Sequence, residues 1–221
     1  MTIHILTIFP DFFTSPLAIS ILKRAQETHS VTFNIVNIRD FATDKHQTTD
    51  DRPYGGGPGM VMRVEPIALA LESLKLDARD GKNTSTKKIL TSAKGKIFTQ
   101  QKAQEYSQLT DLVIICGHYE GVDERVVEHL IDEEVRIGDY VLTGGEPAAL
   151  VMADAVTRLL PEVLGNEQSN QNESHSQVGV LGFPQYTRPE NFGGWQVPEI
   201  LLSGHQQKIE EWREEQKKKD F

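Results

Sequence analysis

The chain has 221 residues, of which 38% are hydrophobic and 25% charged, a composition typical of one large globular domain or of a medium domain with an appendage. The formal net charge of −9 excludes a uniformly basic nucleic-acid-binding surface but not a local basic patch. The single cysteine excludes an intrachain disulfide and a multi-cysteine metal site. No apolar run approaches the length of a membrane span, and the first residues lack the basic segment of a signal peptide. We therefore expect a soluble, cytoplasmic protein.

Strands and helices alternate along the predicted structure. The strands are predicted over 3–9, 31–38, 88–91, 112–116 and 134–137, and the helices over 15–28, 65–76, 98–107, 123–130 and from Thr143 to about Leu160. Long loops are expected over 39–63 and 77–86, the second of them mobile. Cys116 ends an apolar strand and is expected to be buried. The alternation predicts an α/β fold, with a parallel sheet flanked by helices and ligands bound at the carboxyl ends of the strands.

The helix that ends near Leu160 shapes the expected domain organisation. Its Thr143 and Glu146 have the spacing of a capping box, as do Ser203 and Gln206 further on. It is apolar on nearly every side, which indicates burial against its own domain or a second subunit. Residues 165–177 contain no apolar side chain and are expected to be flexible. We therefore predict a first domain over 1–161, a linker over 162–178 and a small helical C-terminal domain over 179–221.

Three glycine-containing segments are the strongest candidates for binding a ligand. They are 50–60, 116–125 and 137–146. Glycine lets backbone amides approach a phosphate or a base closely, although an irregular tight loop explains each segment equally well. The first segment is neither a Walker loop nor a dinucleotide-binding fingerprint, because neither glycine spacing is present.

Charged residues offer weaker signals. Asp154 and Arg158 stand four residues apart on the apolar helix, either as an intrahelical ion pair or with the arginine directed at an anionic group. Six lysines and no acid lie between 81 and 104, where a solvated surface or a phosphate-binding strip would each fit. The seven histidines show no zinc-ligand spacing, and no metal-binding residue is assigned.

Together these motifs resemble the bacterial tRNA (guanine-37-N1)-methyltransferases over nearly the whole chain. The matching strings are Asp44-Lys45-His46, Asp50 through Met60, Gly117-x-Tyr119-Glu120-Gly121, Ile137 through Glu146, Asp154-Ala155-Val156, Tyr186 through Glu190 and Ser203-Gly204-His205. The resemblance implies the SPOUT superfamily: an α/β domain with a deep trefoil knot, acting as a homodimer on tRNA and not on DNA or a membrane. It implies S-adenosylmethionine as methyl donor and a requirement for Mg²⁺, with no metal ligand assigned.

The resemblance also implies roles for individual residues. The expected cofactor-binding residues are Thr91, Ser92, Gly95, Gly117, Tyr119, Glu120, Ile137, Gly138, Asp139, Tyr140, Val141, Leu142, Gly144 and Gly145. The expected tRNA-contacting residues are His46, Asp50, Arg52, Tyr54 and Arg188, with Glu120 also shaping that site. The expected catalytic residues are Glu173, as the base that removes the N1 proton of guanine, and Arg158, which stabilises the charge developing on O6.

This sequence departs from the family pattern at three places. Glu173 stands where the family has aspartate, Ser92-Ala93-Lys94-Gly95 replaces Ser-Pro-Gln-Gly, and the chain ends at Phe221, earlier than is usual. Two alternatives remain beside N1 methylation of guanosine 37: a SPOUT methyltransferase acting on another RNA nucleotide, and a non-catalytic protein that binds RNA or a nucleotide.

Overall fold

The computed structural model describes residues 1–76, 85–164, 173–177 and 179–219. Its strands are β1 (Thr2–Thr7), β2 (Thr32–Asn37), β3 (Asp50–Asp51), β4 (Val61–Met62), β5 (Thr86–Ile97), β6 (Asp111–Cys116), β7 (Glu133–Arg136), β8 (Val180–Leu181), β9 (Asn191–Phe192), β10 (Trp195–Gln196) and β11 (Lys218–Lys219). Its α-helices are α1 (Thr14–Leu17), α2 (Ser20–Glu27), α3 (Val64–Ser73), α4 (Gln100–Ser107), α5 (Glu124–His129), α6 (Glu146–Thr157), α7 (Glu199–Leu202) and α8 (Gln206–Gln216).

The chain divides into two compact units, Met1–Gly165 and Asn166–Phe221. The first contains a five-stranded sheet in the order β2-β1-β6-β5-β7, in which every neighbouring pair is parallel. In the second, α7 and α8 accompany the two-stranded pairs β9–β10 and β8–β11. Much of the expected flexible linker, residues 165–172, lies outside the described residues, as does 77–84 of the expected mobile loop.

The central sheet separates two hydrophobic cores. Alternate residues of the fully buried strand β6 face opposite sides: Leu112, Ile114 and Cys116 pack with α2, α4 and α6, whereas Val113 and Ile115 pack with α3 and α5. Strands buried on both faces in this way are typical of parallel sheets covered by helices. The predicted α/β architecture is confirmed, and so is the burial of Cys116.

Several helix starts differ from the prediction. The single helix expected over 15–28 is two helices, α1 and α2, and Ser20, the first residue of α2, has a φ of 51°. Neither expected capping box forms. Helix α6 begins only at Glu146, and the Glu146 carboxylate instead accepts a 2.7 Å hydrogen bond from the Thr7 hydroxyl in the interior. Ser203 lies before the N-cap residue of α8, His205, whose backbone N–H donates to the Ser203 hydroxyl at 3.2 Å.

Strand β5 is far longer than predicted, because it continues from Thr86 to Ile97 through residues that were expected to form a loop. Its pairing with β7 shifts between Thr91 and Lys96, which both stand opposite Val135. Residues 92–95 therefore bulge out of the sheet, as the extra residues of a β-bulge do. The expected long loop over 39–63 likewise contains a 3₁₀ helix (Ile38–Phe41) and the short β3–β4 hairpin.

Two lysines of the lysine-rich stretch, Lys87 and Lys102, form ion pairs with acids. The Glu133 carboxylate accepts hydrogen bonds from the Lys102 ammonium at 2.5 Å and from the Tyr106 hydroxyl at 2.7 Å, and it lies 3.0 Å from the Lys87 ammonium. Glu105 adds a 2.8 Å contact to Lys87. Burial opposes ionisation of Glu133, but these three donors outweigh that cost and lower its pKa to about 2. The charges of Lys87 and Lys102 are therefore largely compensated within the chain.

Candidate active site

A cavity of about 500 Å³ opens beside the carboxyl ends of strands β6 and β7 and the bulge of β5. Its wall comes mainly from four stretches of chain: 90–94, 117–122, 134–138 and 140–145. The volume falls within the range of small-molecule sites, and the position is the usual one for a ligand in a parallel α/β sheet.

Contacts among glycines hold these stretches together. The Gly117 N–H donates to the Thr91 hydroxyl at 3.0 Å, and that hydroxyl donates to the Ile115 carbonyl at 3.2 Å. The Gly145 N–H donates to the Gly117 carbonyl at 2.8 Å. A Cβ atom on Gly145 would overlap the Thr91 hydroxyl, and one on Gly117 would lie 2.7 Å from the Thr91 carbonyl oxygen. These glycines are therefore required by packing within the chain, whether or not a ligand also approaches them.

Twelve of the fourteen expected cofactor-binding residues line the cavity, and Gly95 and Asp139 do not. Gly95 packs directly against the backbone of Glu134, where no side chain would fit. Asp139 is mostly exposed and accepts a 2.9 Å hydrogen bond from the Arg136 guanidinium. The remaining twelve are brought together from three distant segments, and Tyr119, Tyr140, Val141 and Leu142 keep large exposed surfaces.

His118 is a cavity residue that the motifs did not single out. Its ring lies 5.2 Å from that of Phe9 and 5.0 Å from that of Tyr119. Its Nδ1 accepts a 3.0 Å hydrogen bond from the Tyr119 N–H, so the proton of the neutral ring is on Nε2. Its position directly after Gly117, at the end of a buried strand, was the signal that could have identified it.

Charged side chains also line the cavity. The Lys94 ammonium lies 2.8 Å from Glu124 and 3.8 Å from Glu134, and the hydrogen bond to Glu124 raises the pKa of Lys94. Arg136 donates to the Gly95 carbonyl as well as to Asp139. These residues come from separate elements, and no sequence motif indicates that they meet.

The glycine-rich segment 50–60 contacts Glu120, a residue of the cavity wall. Gly55, Gly56, Gly57 and Gly59 all have positive φ, a conformation that glycine adopts without strain. The Glu120 N–H donates to the Met60 carbonyl at 3.0 Å, and a Cβ atom on Gly59 would overlap the Glu120 side chain. Glu120 thus joins this segment to the cavity wall.

The expected tRNA-contacting residues of the first unit lie around this segment. Asp50 belongs to β3, Arg52 is exposed, and Tyr54 at the tip is fully exposed. The exposed His46 lies in a turn, where its N–H donates to the Asp44 carboxylate at 3.0 Å. Hydrogen bonds from Thr48 and from the His46 N–H hold the pKa of Asp44 below its usual value.

The two expected catalytic residues belong to different compact units. Arg158 ends helix α6, where its N–H donates to the Asp154 carbonyl at 3.1 Å. Glu173 lies in the second unit, where its carbonyl accepts a 3.2 Å hydrogen bond from the Ser176 N–H. Arg188 is an exposed residue of that second unit.

Comparison with known proteins gives consistent similarities along the whole chain. A family model described as tRNA (Guanine-1)-methyltransferase TrmD matches residues 1–220. A relative from Halalkalibacterium halodurans, named tRNA (guanine-N(1)-)-methyltransferase, is 53% identical over 217 residues, which cover 98% of this chain and 86% of the relative. A relative of the same name from Carboxydothermus hydrogenoformans is 55% identical over 98% of this chain and 82% of the relative. Another, from Staphylococcus aureus, is 51% identical over 98% of this chain and 86% of the relative.

Proposed function

This chain belongs to the tRNA (guanine-1)-methyltransferase TrmD family, and we propose that it transfers the methyl group of S-adenosylmethionine to N1 of guanosine 37 in tRNA. The observation that carries the proposal is the cavity. It gathers twelve family-matched residues from three distant segments at the edge of the sheet where a ligand is expected. Because the proposed substrate is tRNA, we place the protein in the cytoplasm. None of the helices in the described part of the chain is long and apolar enough to cross a membrane.

The cavity fits the methyl donor in the character of its walls. Gly117, Gly138, Gly144 and Gly145 bring no side chain into the wall, so the loops that carry them can approach a purine and a ribose closely. Exposed apolar side chains at Tyr140, Val141 and Leu142 supply a surface for the flat ring. The three loops that meet through Thr91, Gly117 and Gly145 are also where the family's trefoil knot would lie.

The catalytic chemistry is assigned to two side chains. When bound, S-adenosylmethionine supplies an electrophilic methyl group on a sulfonium. N1 of guanine carries a proton and becomes nucleophilic only when the proton leaves, so the Glu173 carboxylate accepts it. The Arg158 guanidinium donates hydrogen bonds to O6, where negative charge develops. With the proton on Glu173 and O6 held by Arg158, N1 would take the methyl group, and the electron pair of the broken bond would stay on the donor's sulfur.

Substrate binding is assigned to the glycine-rich segment and to Arg188. The exposed Tyr54 can stack on a base, and Arg52 and Arg188 can pair with phosphates. Glu173 and Arg188 belong to the second unit, so tRNA that contacts both units would bring the base to the methyl donor only when the correct substrate is bound. No cluster of three or more His, Cys, Asp or Glu side chains that could hold a metal occurs in the described residues, and no step is assigned to Mg²⁺.

A homodimer is the proposed assembly. Helix α6 is buried on most sides, yet Val151 in its middle remains 47% exposed and the neighbouring Leu150 and Ala155 are only partly covered. The second unit has little interior of its own, since Ile209 is its single buried apolar residue among those described. Both observations favour additional burial against a second copy of the chain.

The test is methyl transfer to transcript tRNA, with the labelled nucleotide mapped. Glu173→Gln keeps the size of the side chain and removes its proton-accepting capacity, so the single-turnover rate should fall by roughly 10²–10⁴-fold. Glu173→Asp should retain substantial activity, and the exposed Glu215→Gln on α8 is the matched control. Label at another nucleotide, or binding of S-adenosylmethionine without transfer, would replace the proposal by one of its two alternatives. A near-normal rate for Glu173→Gln would refute the role of that residue.

A further inference from the structure

The wall of the cavity carries more negative than positive charge. Glu120, Glu124 and Glu134 contribute carboxylates, and Lys94 and Arg136 contribute the cations among the described residues. Arg136 is engaged by the Asp139 carboxylate and the Gly95 carbonyl. The single charge of Lys94 is shared by two acids, with Glu124 at 2.8 Å and Glu134 at 3.8 Å.

Glu134 is the most enclosed of these acids. Its side chain is 16% exposed, and Oε1 is enclosed and receives no hydrogen bond from any described residue. Glu124, by contrast, is 59% exposed and holds the lysine closely. Enclosing an incompletely paired carboxylate costs free energy, and a cation brought into the same cavity reduces that cost.

We propose that Glu134 makes the cavity prefer the cationic methyl donor over the neutral product, and so favours exchange of product for fresh cofactor. This inference rests on the proposed function. Methyl transfer leaves the electron pair of the broken bond on sulfur, so the sulfonium becomes an uncharged thioether, S-adenosylhomocysteine. The attraction to Glu134 is therefore present before transfer and lost after it, whereas the adenosine and amino-acid portions are the same in both ligands.

Lys94 should act in the opposite direction. Its ammonium partly neutralises Glu134, so its removal leaves the carboxylate less compensated and strengthens the attraction for a cation. Two substitutions in the same wall are thus expected to change ligand preference with opposite signs. A merely structural role for either residue would not produce this result.

The experiment is calorimetric titration of the wild-type protein, Glu134→Gln, Lys94→Gln and the exposed control Glu128→Gln on α5. The ligands are S-adenosylmethionine, S-adenosylhomocysteine and sinefungin, whose protonated amine replaces the sulfonium. Glu134→Gln should weaken binding of both cationic ligands about tenfold, equivalent to about 1.4 kcal/mol, and leave S-adenosylhomocysteine within twofold. Lys94→Gln should increase the preference for the cationic ligands, and Glu128→Gln should leave it unchanged.

Each contrary outcome has a distinct meaning. Equal weakening of all three ligands by Glu134→Gln would overturn the inference, as would a Lys94→Gln shift of the same sign. If Glu134→Gln does not fold, the direction of the Lys94→Gln shift decides the question alone. A wild-type protein that binds neither S-adenosylmethionine nor S-adenosylhomocysteine would refute the proposed function, and this inference with it. Normal binding with unchanged preferences in both variants would refute the inference alone.

Discussion

Replacing Glu133 by glutamine removes one negative charge from the ionic network that joins α4 to β5 and β7, and it leaves an oxygen that can still accept the Tyr106 hydrogen bond. The pKa of Glu133 falls from 4.5 to about 2 in the folded protein, and each unit of pKa difference corresponds to about 1.4 kcal/mol. Lys87 and Lys102 keep some exposure, so solvent and salt screen part of this energy. We expect Glu133→Gln to lower the free energy of unfolding at pH 7 by about 2–3 kcal/mol.

The pH dependence gives the sign of the effect. A carboxyl group whose pKa is lower in the folded than in the unfolded chain stabilises the fold above the unfolded pKa. That stabilisation disappears as the pH falls through 4.5 towards about 2. The difference between wild type and Glu133→Gln should therefore be full at pH 7 and shrink to less than half of that value by pH 3.

Urea denaturation at a series of pH values between 7 and 3 measures this difference directly. Glu105→Gln is the matched control, because it removes a carboxylate that contacts the same Lys87 but is 56% exposed. It should cost no more than about 1 kcal/mol, the usual contribution of an exposed ion pair. A Glu133→Gln effect that is independent of pH, or no larger than that of Glu105→Gln, would refute the reasoning.

Three further outcomes are expected. Gly145→Ala should lower the melting temperature measured by calorimetry, because its Cβ overlaps the Thr91 hydroxyl. The double variant with Thr91→Ala should lose less in melting temperature than the two single variants together. Simple additivity of the two losses would argue against the contact. Burial raises the pKa of the Cys116 thiol, so a disulfide reagent should modify it in urea but not in the native protein; rapid native reaction would contradict the burial. Light scattering should give a mass twice the 24.8 kDa of the chain, and Val151→Asp should lower the measured mass towards that of the monomer. A stable wild-type monomer at micromolar concentration would exclude the dimer.

Strand β6 was predictable because it is an almost continuous apolar run. It is buried along its whole length. In a chain whose strands and helices alternate, a short apolar run of this kind indicates a strand of a parallel sheet that is covered on both faces. The break between α1 and α2 was not predictable, because apolar residues keep their helical spacing across it while Ser20 adopts a positive φ. The extension of β5 depends on β7, some 40 residues further along the chain, and so left no local pattern in 92–97.

The cavity was predictable as a set of glycine motifs but not as a set of contacts. Gly117 was expected to leave room for a ligand, and the structure shows that the Thr91 carbonyl already occupies the direction of a side chain there. A substitution such as Gly117→Val therefore perturbs packing as well as binding. The Lys94–Glu124 ion pair joins residues 30 positions apart. A sequence alone does not reveal which of several acids forms an ion pair with a given lysine.

The hydrogen bonds from Gly117 to Thr91 and from Gly145 to Gly117 also bear on how the protein acquires its ligand site during synthesis. The cavity needs segments from Leu90 to Ala148 in their final positions. A growing chain therefore cannot bind a ligand in the cavity until the last of these segments has left the ribosome. A ligand that recognises only the finished cavity stabilises the native state without assisting the earlier steps. Its kinetic effect should thus be slower unfolding rather than faster folding.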